Sequence, residues 1–172
     1  MKQILAVLLF IFLTSCSQSV IQNKGDTMKI TSPAFKEGGM IPAEYTCAGD
    51  DISPELNIEG VPASAKSLAL IMDDPDAPAG TWDHWIVFNI PAAIKKIAKD
   101  TEPEGIAGQN SWKKIGYGGP CPPSGVHRYY FKLYALDIKL ELSQGATKPQ
   151  LLSAMKGHIL AEAKLMGKFQ KS

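Results

Sequence analysis

The chain is short of several things, and each shortage argues against a class of protein. Its 18 basic and 17 acidic residues nearly cancel, to a formal net charge of +1. A nucleic-acid binder neutralises phosphates with a basic excess or stripe, and neither is present. No block of like charge appears and apolar content is an ordinary 45%, so the chain does not read as disordered. Its longest apolar run, Ile4 to Leu13, is half the ~20 residues that a helix needs to cross a hydrocarbon core. There are three Cys and three His, with no Cys-x-x-Cys and no His-x-x-x-His, so the close spacings of common metal sites are missing. What remains is rich in turn formers, with 12 Pro and 15 Gly in 172 residues. That suits one loop-rich domain with a sizeable core better than a helical bundle.

Met1-Lys2 before the apolar run fits a secretory leader, a basic start followed by an h-region of about 7–15 residues. The next residues, Leu13-Thr14-Ser15-Cys16, resemble the bacterial lipoprotein lipobox, whose Cys is acylated and becomes the mature N-terminus. An ordinary signal peptide with an incidental Cys is the alternative. Ser17 resembles the pattern that sorts lipoproteins to the outer membrane, which implies the periplasmic face of that membrane in a bacterial envelope. On this reading residues 1–15 are a signal peptide, 16–27 a lipidated polar tether and 28–172 the domain. The protein is then anchored rather than membrane-spanning. Cys47 and Cys121 would lie in a disulfide-permissive compartment, either bridged or as two buried thiols.

Three strands are legible. Lys66 to Met72 (KSLALIM) reads as a buried strand between turn-rich segments, and Trp85 to Ile90 is a second strand stopped by Pro91. His127 to Leu136 alternates, with His127, Tyr129, Phe131, Leu133 and Ala135 on one face. His127 and Tyr129 thus stand at the entrance of a face that becomes apolar, where a pocket at the rim of a β-core belongs. Thr147 with Gln150 makes a capping box, and Pro149 falls in the first turn. Leu151, Leu152, Met155, Ile159, Ala163 and Met166 then recur at helical spacing, which predicts a C-terminal amphipathic helix through to Gly167. The whole predicts a mainly β fold, an antiparallel sandwich with peripheral helices.

Polar interest gathers in three places: Asp73-Asp74-Pro75-Asp76-Ala77-Pro78, Trp82-Asp83-His84-Trp85, and the Gly/Pro loop from Tyr117 to Gly125 that runs into His127-Arg128-Tyr129. Prolines stiffen the first and third, and glycines let backbone approach closely in the third. Singly, each also reads as a turn, a satisfied core histidine or a tight loop.

Together, and in this order, the motifs resemble the phosphatidylethanolamine-binding protein family, in its bacterial Raf-kinase-inhibitor-like branch. Tyr45-Thr46-Cys47, Ile52-Ser53-Pro54 and a Lys156-Gly157-His158-Ile159-Leu160 helix are similar too, so the likeness covers residues 28 to 168. The resemblance implies a β-sandwich with a small anion-binding pocket at one end, formed by Asp74, Asp76, His84, His127 and Tyr129 and walled by Gly119, Pro120 and Pro122-Pro123. Two features set the chain apart from eukaryotic members: only residues 79–83 separate Pro78 from His84, and the C-terminal helix has no Tyr at its end.

Physically, two imidazoles, a phenol and Gly-loop amides are donors for phosphate or carboxylate. Two carboxylates beside them suit an orienting role that raises the imidazole pKa values, or a zwitterionic ligand whose ammonium they meet. The expectation is a non-catalytic binding protein for a small anionic or zwitterionic, phosphoethanolamine-like ligand, with no cofactor and no metal. Such a protein would strengthen its grip as pH falls, and a homodimer fits the branch. A module inhibiting an envelope protease or other enzyme is the first rival. A hydrolase is the second, although neither Ser111 nor Ser124 sits in Gly-x-Ser-x-Gly. A metal site of Asp74, Asp76, His84 and His127 is the third. Outside the pocket, His158 reads as packed against the helix stripe, Trp82, Trp85 and Trp112 as core or rim, and Lys95-Lys96 and Lys113-Lys114 as solvated charge.

Overall fold

Between Ser67 and Asp73 the chain has no polar side chain, so a strand there must be covered on both faces. In the computed structural model, which describes residues 27–171, it is β3 (Ser67–Asp74), and every residue in it is buried. The leader, the lipobox Cys16 and all of the expected tether up to residue 26 lie outside the described residues. β3 is the middle strand of a five-stranded sheet. β4 (Trp82–Pro91) and β7 (Val126–Leu136) pair with it antiparallel, and β6 (Ile106–Ala107) and β8 (Ile159–Gln170) take the edges. A smaller sheet of β1 (Lys29–Thr31), β2 (Leu56–Glu59) and β5 (Lys96–Ile97) packs on one face.

Alternation along β3 divides the interior. Leu68, Leu70 and Met72 join Ile30, Leu56, Ile58 and Ile97 of the small sheet in the main core. Ala69 and Ile71 face the other way and pack under Leu151 and Met155 of helix α1 (Lys148–Met155). Full burial of each of these Leu, Ile or Met side chains is worth about 1.5–3 kcal/mol. The sandwich expectation is thus met, with the three anticipated strands extended by a few residues at their ends.

The C-terminal helix is corrected. It starts where expected, with the Thr147–Gln150 capping box and Pro149 in the first turn, but ends at Met155 rather than Gly167. Lys156 is extended and Gly157 takes a left-handed φ of 84°, a backbone state that stops a helix and that glycine adopts without strain. Ile159 to Gln170 then pairs along the whole of β7, so the Lys156 to Leu160 stretch is a turn and a strand start. On β8 it is Leu165, Gly167 and Phe169 that turn inward. Gly167 has no room for a Cβ, which would stand 2.5 Å from Ile41 Cγ1. His158 meets no helix stripe: its Nδ1 pairs with Asp137 Oδ1 at 2.9 Å, and its side chain is 41% exposed. Among the described residues no helix is long and apolar enough to cross a membrane.

Candidate ligand-binding site

An irregularity in β4 positions the first site residue. Met72 pairs with Trp85 and Asp73 with Asp83, which leaves His84 as an extra residue without a cross-strand partner. A bulge of this kind breaks the alternation and re-aims a side chain. Asp83 stays on the helix side, where Lys148 Nζ reaches it at 2.7 Å. His84 turns in beside Tyr129, ring centroids 5.2 Å apart and edge to face. β7 supplies His127 and Tyr129 from its buried face, and β3 ends at Asp74 on the same side.

Asp74 Oδ2 accepts from His127 Nδ1 at 2.7 Å, and both side chains are more than nine-tenths buried. Its Oδ1 accepts the Asp76 backbone N–H at 2.8 Å, closing the turn that follows the strand. His127 is therefore held through Nδ1, and Nε2 is its other polar atom. His84 Nδ1 donates to the Gly118 carbonyl at 2.7 Å, so its Nε2 is an acceptor in the neutral ring. Burial holds the His84 pKa below the usual histidine value, against the opposing pull of the Gly118 carbonyl and Asp74. The expectation that the aspartates charge both imidazoles is therefore corrected for His84, because desolvation outweighs them. Tyr129 is fully buried, and its hydroxyl has no hydrogen-bond partner among the described residues. Burial, and then the negative charge of Asp74, push its pKa up, so it stays a phenol.

A pocket of about 330 Å³ opens here, with Asp74, His84 and His127 in its wall. Trp82 and Trp112 complete it, packed edge to face with centroids 5.4 Å apart, so these two aromatics are pocket wall while Trp85 is core. Pro123, Cys121 and the Ala77-Pro78-Ala79 loop close the rest. Cys121 is disulfide-bonded to Cys47, with Cα atoms 5.4 Å apart. Sequence reasoning had no signal for Trp82 and Trp112, since the loop that carries Trp112 is brought over by long-range hydrogen bonds such as Asp83 N–H to Ser111 Oγ at 2.8 Å.

Five residues expected to form the pocket do not line it: Tyr129 is fully buried against His84 and His127, Pro122 is buried, and Asp76, Gly119 and Pro120 are engaged elsewhere. Asp76 does not line it: its carboxylate takes Arg128 Nε at 2.9 Å and Nη2 at 2.6 Å, and also the Arg128 backbone N–H at 2.9 Å. The Arg128 guanidinium pulls the Asp76 pKa down to about 2. Gly119 gives its N–H to Asp51 Oδ1 at 2.7 Å, and Gly118 gives its N–H to the His84 carbonyl at 3.1 Å. The Pro120 carbonyl accepts the Cys47 N–H at 3.1 Å. These loop amides are engaged within the fold, so they buttress the pocket rather than offer donors to an anion. Gly119 is required because a Cβ there would lie 2.6 Å from the Tyr45 carbonyl oxygen. Among the described residues no three Asp, Glu, His or Cys side chains come together as a metal would need.

The same fold and sequence recur in known proteins. Residues 31–170 match the family described as "Phosphatidylethanolamine-binding protein". A UPF0098 protein of Methanothermobacter thermautotrophicus is 51% identical over 150 residues, which cover 84% of this chain and 99% of that protein. The crystal structure of the phosphatidylethanolamine-binding protein homologue CT736 of Chlamydia trachomatis is 47% identical, with a TM-score of 0.83 over 85% of this chain and 99% of that one. Escherichia coli YbcL, solved as a member of the mammalian PEBP family, is 30% identical, with a TM-score of 0.79 over 86% of this chain and 100% of its own. The chain therefore belongs to the phosphatidylethanolamine-binding protein family of small binding proteins.

Proposed function

We propose that the chain captures a small phosphate-bearing ligand, anionic or zwitterionic, and performs no chemistry on it. One observation carries the reading: the Tyr129 ring packs against both imidazoles, and its buried hydroxyl, on the side of Asp74 and Cys121, makes no hydrogen bond among the described residues. Leaving such a group unpaired costs about 1–3 kcal/mol, a cost that an arriving acceptor oxygen removes. His84, kept neutral by burial and donating through Nδ1, presents an acceptor at Nε2. A phosphate oxygen thus enters with a proton, or brings a hydroxyl of its own as a phosphate monoanion does. An ammonium group on the same ligand would meet Asp74 and the ring faces of Trp82 and Trp112.

The absence of chemistry is supported by the wall itself, which holds no serine or threonine among the described residues, and whose one cysteine is bonded to Cys47. Ser111 accepts the Asp83 N–H outside it. The lipobox-like Cys16 supports placing the domain, by a lipid anchor, at the periplasmic face of a bacterial outer membrane.

Calorimetric titration of the protein with inorganic phosphate and phosphoethanolamine at pH 6 and 7.5 tests the binding. Affinity is expected to be higher at pH 6, to vanish in His127→Ala and to fall roughly tenfold in Tyr129→Phe, the value of one hydrogen bond to a charged group. Equal affinity in all three proteins, or phosphate release from a phosphate monoester, overturns the proposal.

A further inference from the structure

β8 is the outer strand of the larger sheet and β1 an outer strand of the smaller, and a cleft of about 470 Å³ opens between them. Its floor is apolar, made of buried Ile30, Phe35 and Leu165. Lys29, Lys36 and Lys164 also line it, and none of the three is ion-paired with another described residue. Glu37, the one carboxylate in the cleft, is held by the Met166 backbone N–H at 2.9 Å. Lys164 lines the cleft from the strand edge, but its Nζ turns to the α1 face of the sheet, 5.1 Å from the Tyr130 ring centroid and on the side of Lys132, so Lys29 and Lys36 supply the cationic rim. Met28 lines the same cleft, so the chain enters the domain there.

An apolar floor, a cationic rim and the entry point of the chain coincide. From that juxtaposition we infer that this cleft is the face on which the domain rests against an anionic bilayer, with Lys29 and Lys36 toward the lipid phosphates. The inference rests on the reading of Cys16 as a lipid anchor. Eleven residues lie between Cys16 and Met28, a reach of at most about 40 Å even when fully extended. An anchor on so short a leash holds the domain at the surface, and the lysines then decide which side faces it. The ligand pocket stays clear. Leu165 pairs with Phe131, whereas His127 lies four residues back along β7, roughly 13 Å away at the rise of a strand.

The test is amine acetylation of the full chain reconstituted in two vesicle types, phosphatidylcholine alone and phosphatidylcholine with phosphatidylglycerol. Mass spectrometry reads each lysine. Lys29 and Lys36 are expected to react about fivefold more slowly on the anionic vesicles, the factor that one lysine gains near such a surface, while Lys95, Lys113 and Lys164 do not change. High salt should abolish the difference. Equal labelling on both vesicles overturns the inference, as does protection confined to other lysines. Equal protection by a soluble acidic polypeptide overturns the bilayer as the occupant. The mass of the N-terminal peptide reports acylation separately, so an unmodified Cys16 ends the anchor reading while the labelling still decides the face.

Discussion

Asp73 and Asp74 are consecutive, yet their carboxylates serve opposite faces of β3. Asp74 holds His127 at 2.7 Å on the pocket side. Asp73 takes Lys132 at 2.7 Å and Lys148 at 2.6 Å beneath the start of α1. Two residues beyond Asp74, Asp76 is bound by Arg128 at the surface. One acidic hexapeptide thus does three jobs, and substitutions should separate them.

Asp74→Asn keeps the shape but removes the charge that holds His127 Nδ1. Phosphate affinity is expected to fall roughly tenfold or more, as for loss of a charge-assisted hydrogen bond. Asp76→Asn should leave that affinity within about twofold. Its Arg128 pair is exposed at the guanidinium, so solvent screening keeps the stability loss small. Calorimetry and urea unfolding of both variants check this. Equal affinity losses would return Asp76 to the pocket.

Lys148→Met addresses the other face. Burial works against the Lys148 charge, but its hydrogen bonds to Asp73 and Asp83 prevail and its pKa is raised. Asp73 is fully buried, so removing Lys148 leaves a carboxylate with Lys132 alone, and one of its oxygens is already unpaired. A loss of about 3 kcal/mol is expected, the low end for breaking a buried pair. Thermal unfolding measures it. A melting temperature within a degree of the parent would show the network to be dispensable, and phosphate affinity should not follow the loss.

Reducing the Cys47–Cys121 bridge, or replacing both residues with Ser, should destabilise the domain by up to about 4 kcal/mol through restored chain entropy. The bridge spans 74 residues of sequence, long enough to make that term large. It also fixes Cys121 in the pocket wall, although Tyr117 Oη to the Tyr45 carbonyl at 2.7 Å and Gly119 N–H to Asp51 tie the same segments independently. Phosphate affinity is therefore expected to drop less than tenfold under reductant. Complete loss would mean that the bridge alone shapes the site.

Strands β3, β4 and β7 were legible because their apolar periodicity has one solution, and the alternation of β7 already put His127 and Tyr129 at the mouth of a buried face. β8 misled because Ile159, Ala163 and Met166 fit a helical repeat as well as Ala163, Leu165, Gly167 and Phe169 fit a strand. Gly157 was the local signal, and pairing with β7 decided the matter. The bulge at His84 depends on the register of β3 with β4, and the partners of His84, Asp76 and Gly119 lie about 30 to 70 residues away in sequence, which no local pattern reveals.

His84 gives the domain a pH signature with two opposite signs. Its folded pKa lies below the ordinary 6.5, so below about that value the unfolded chain binds more protons than the folded one. Stability is then complete above pH 6.5 and is lost as pH falls toward the folded pKa, with a slope approaching about 1.4 kcal/mol per pH unit for one proton. His84→Asn, whose amide can still donate to the Gly118 carbonyl, should flatten that slope in urea titrations between pH 5 and 7. On the proposed reading phosphate binding is expected to run the other way, because the neutral His84 ring takes up a proton along with the anion and affinity then rises as pH falls. Saturating phosphate should therefore cancel much of the acid destabilisation in the parent protein and less of it in the variant. Superimposable stability profiles for parent and variant, with and without phosphate, would remove His84 from both roles.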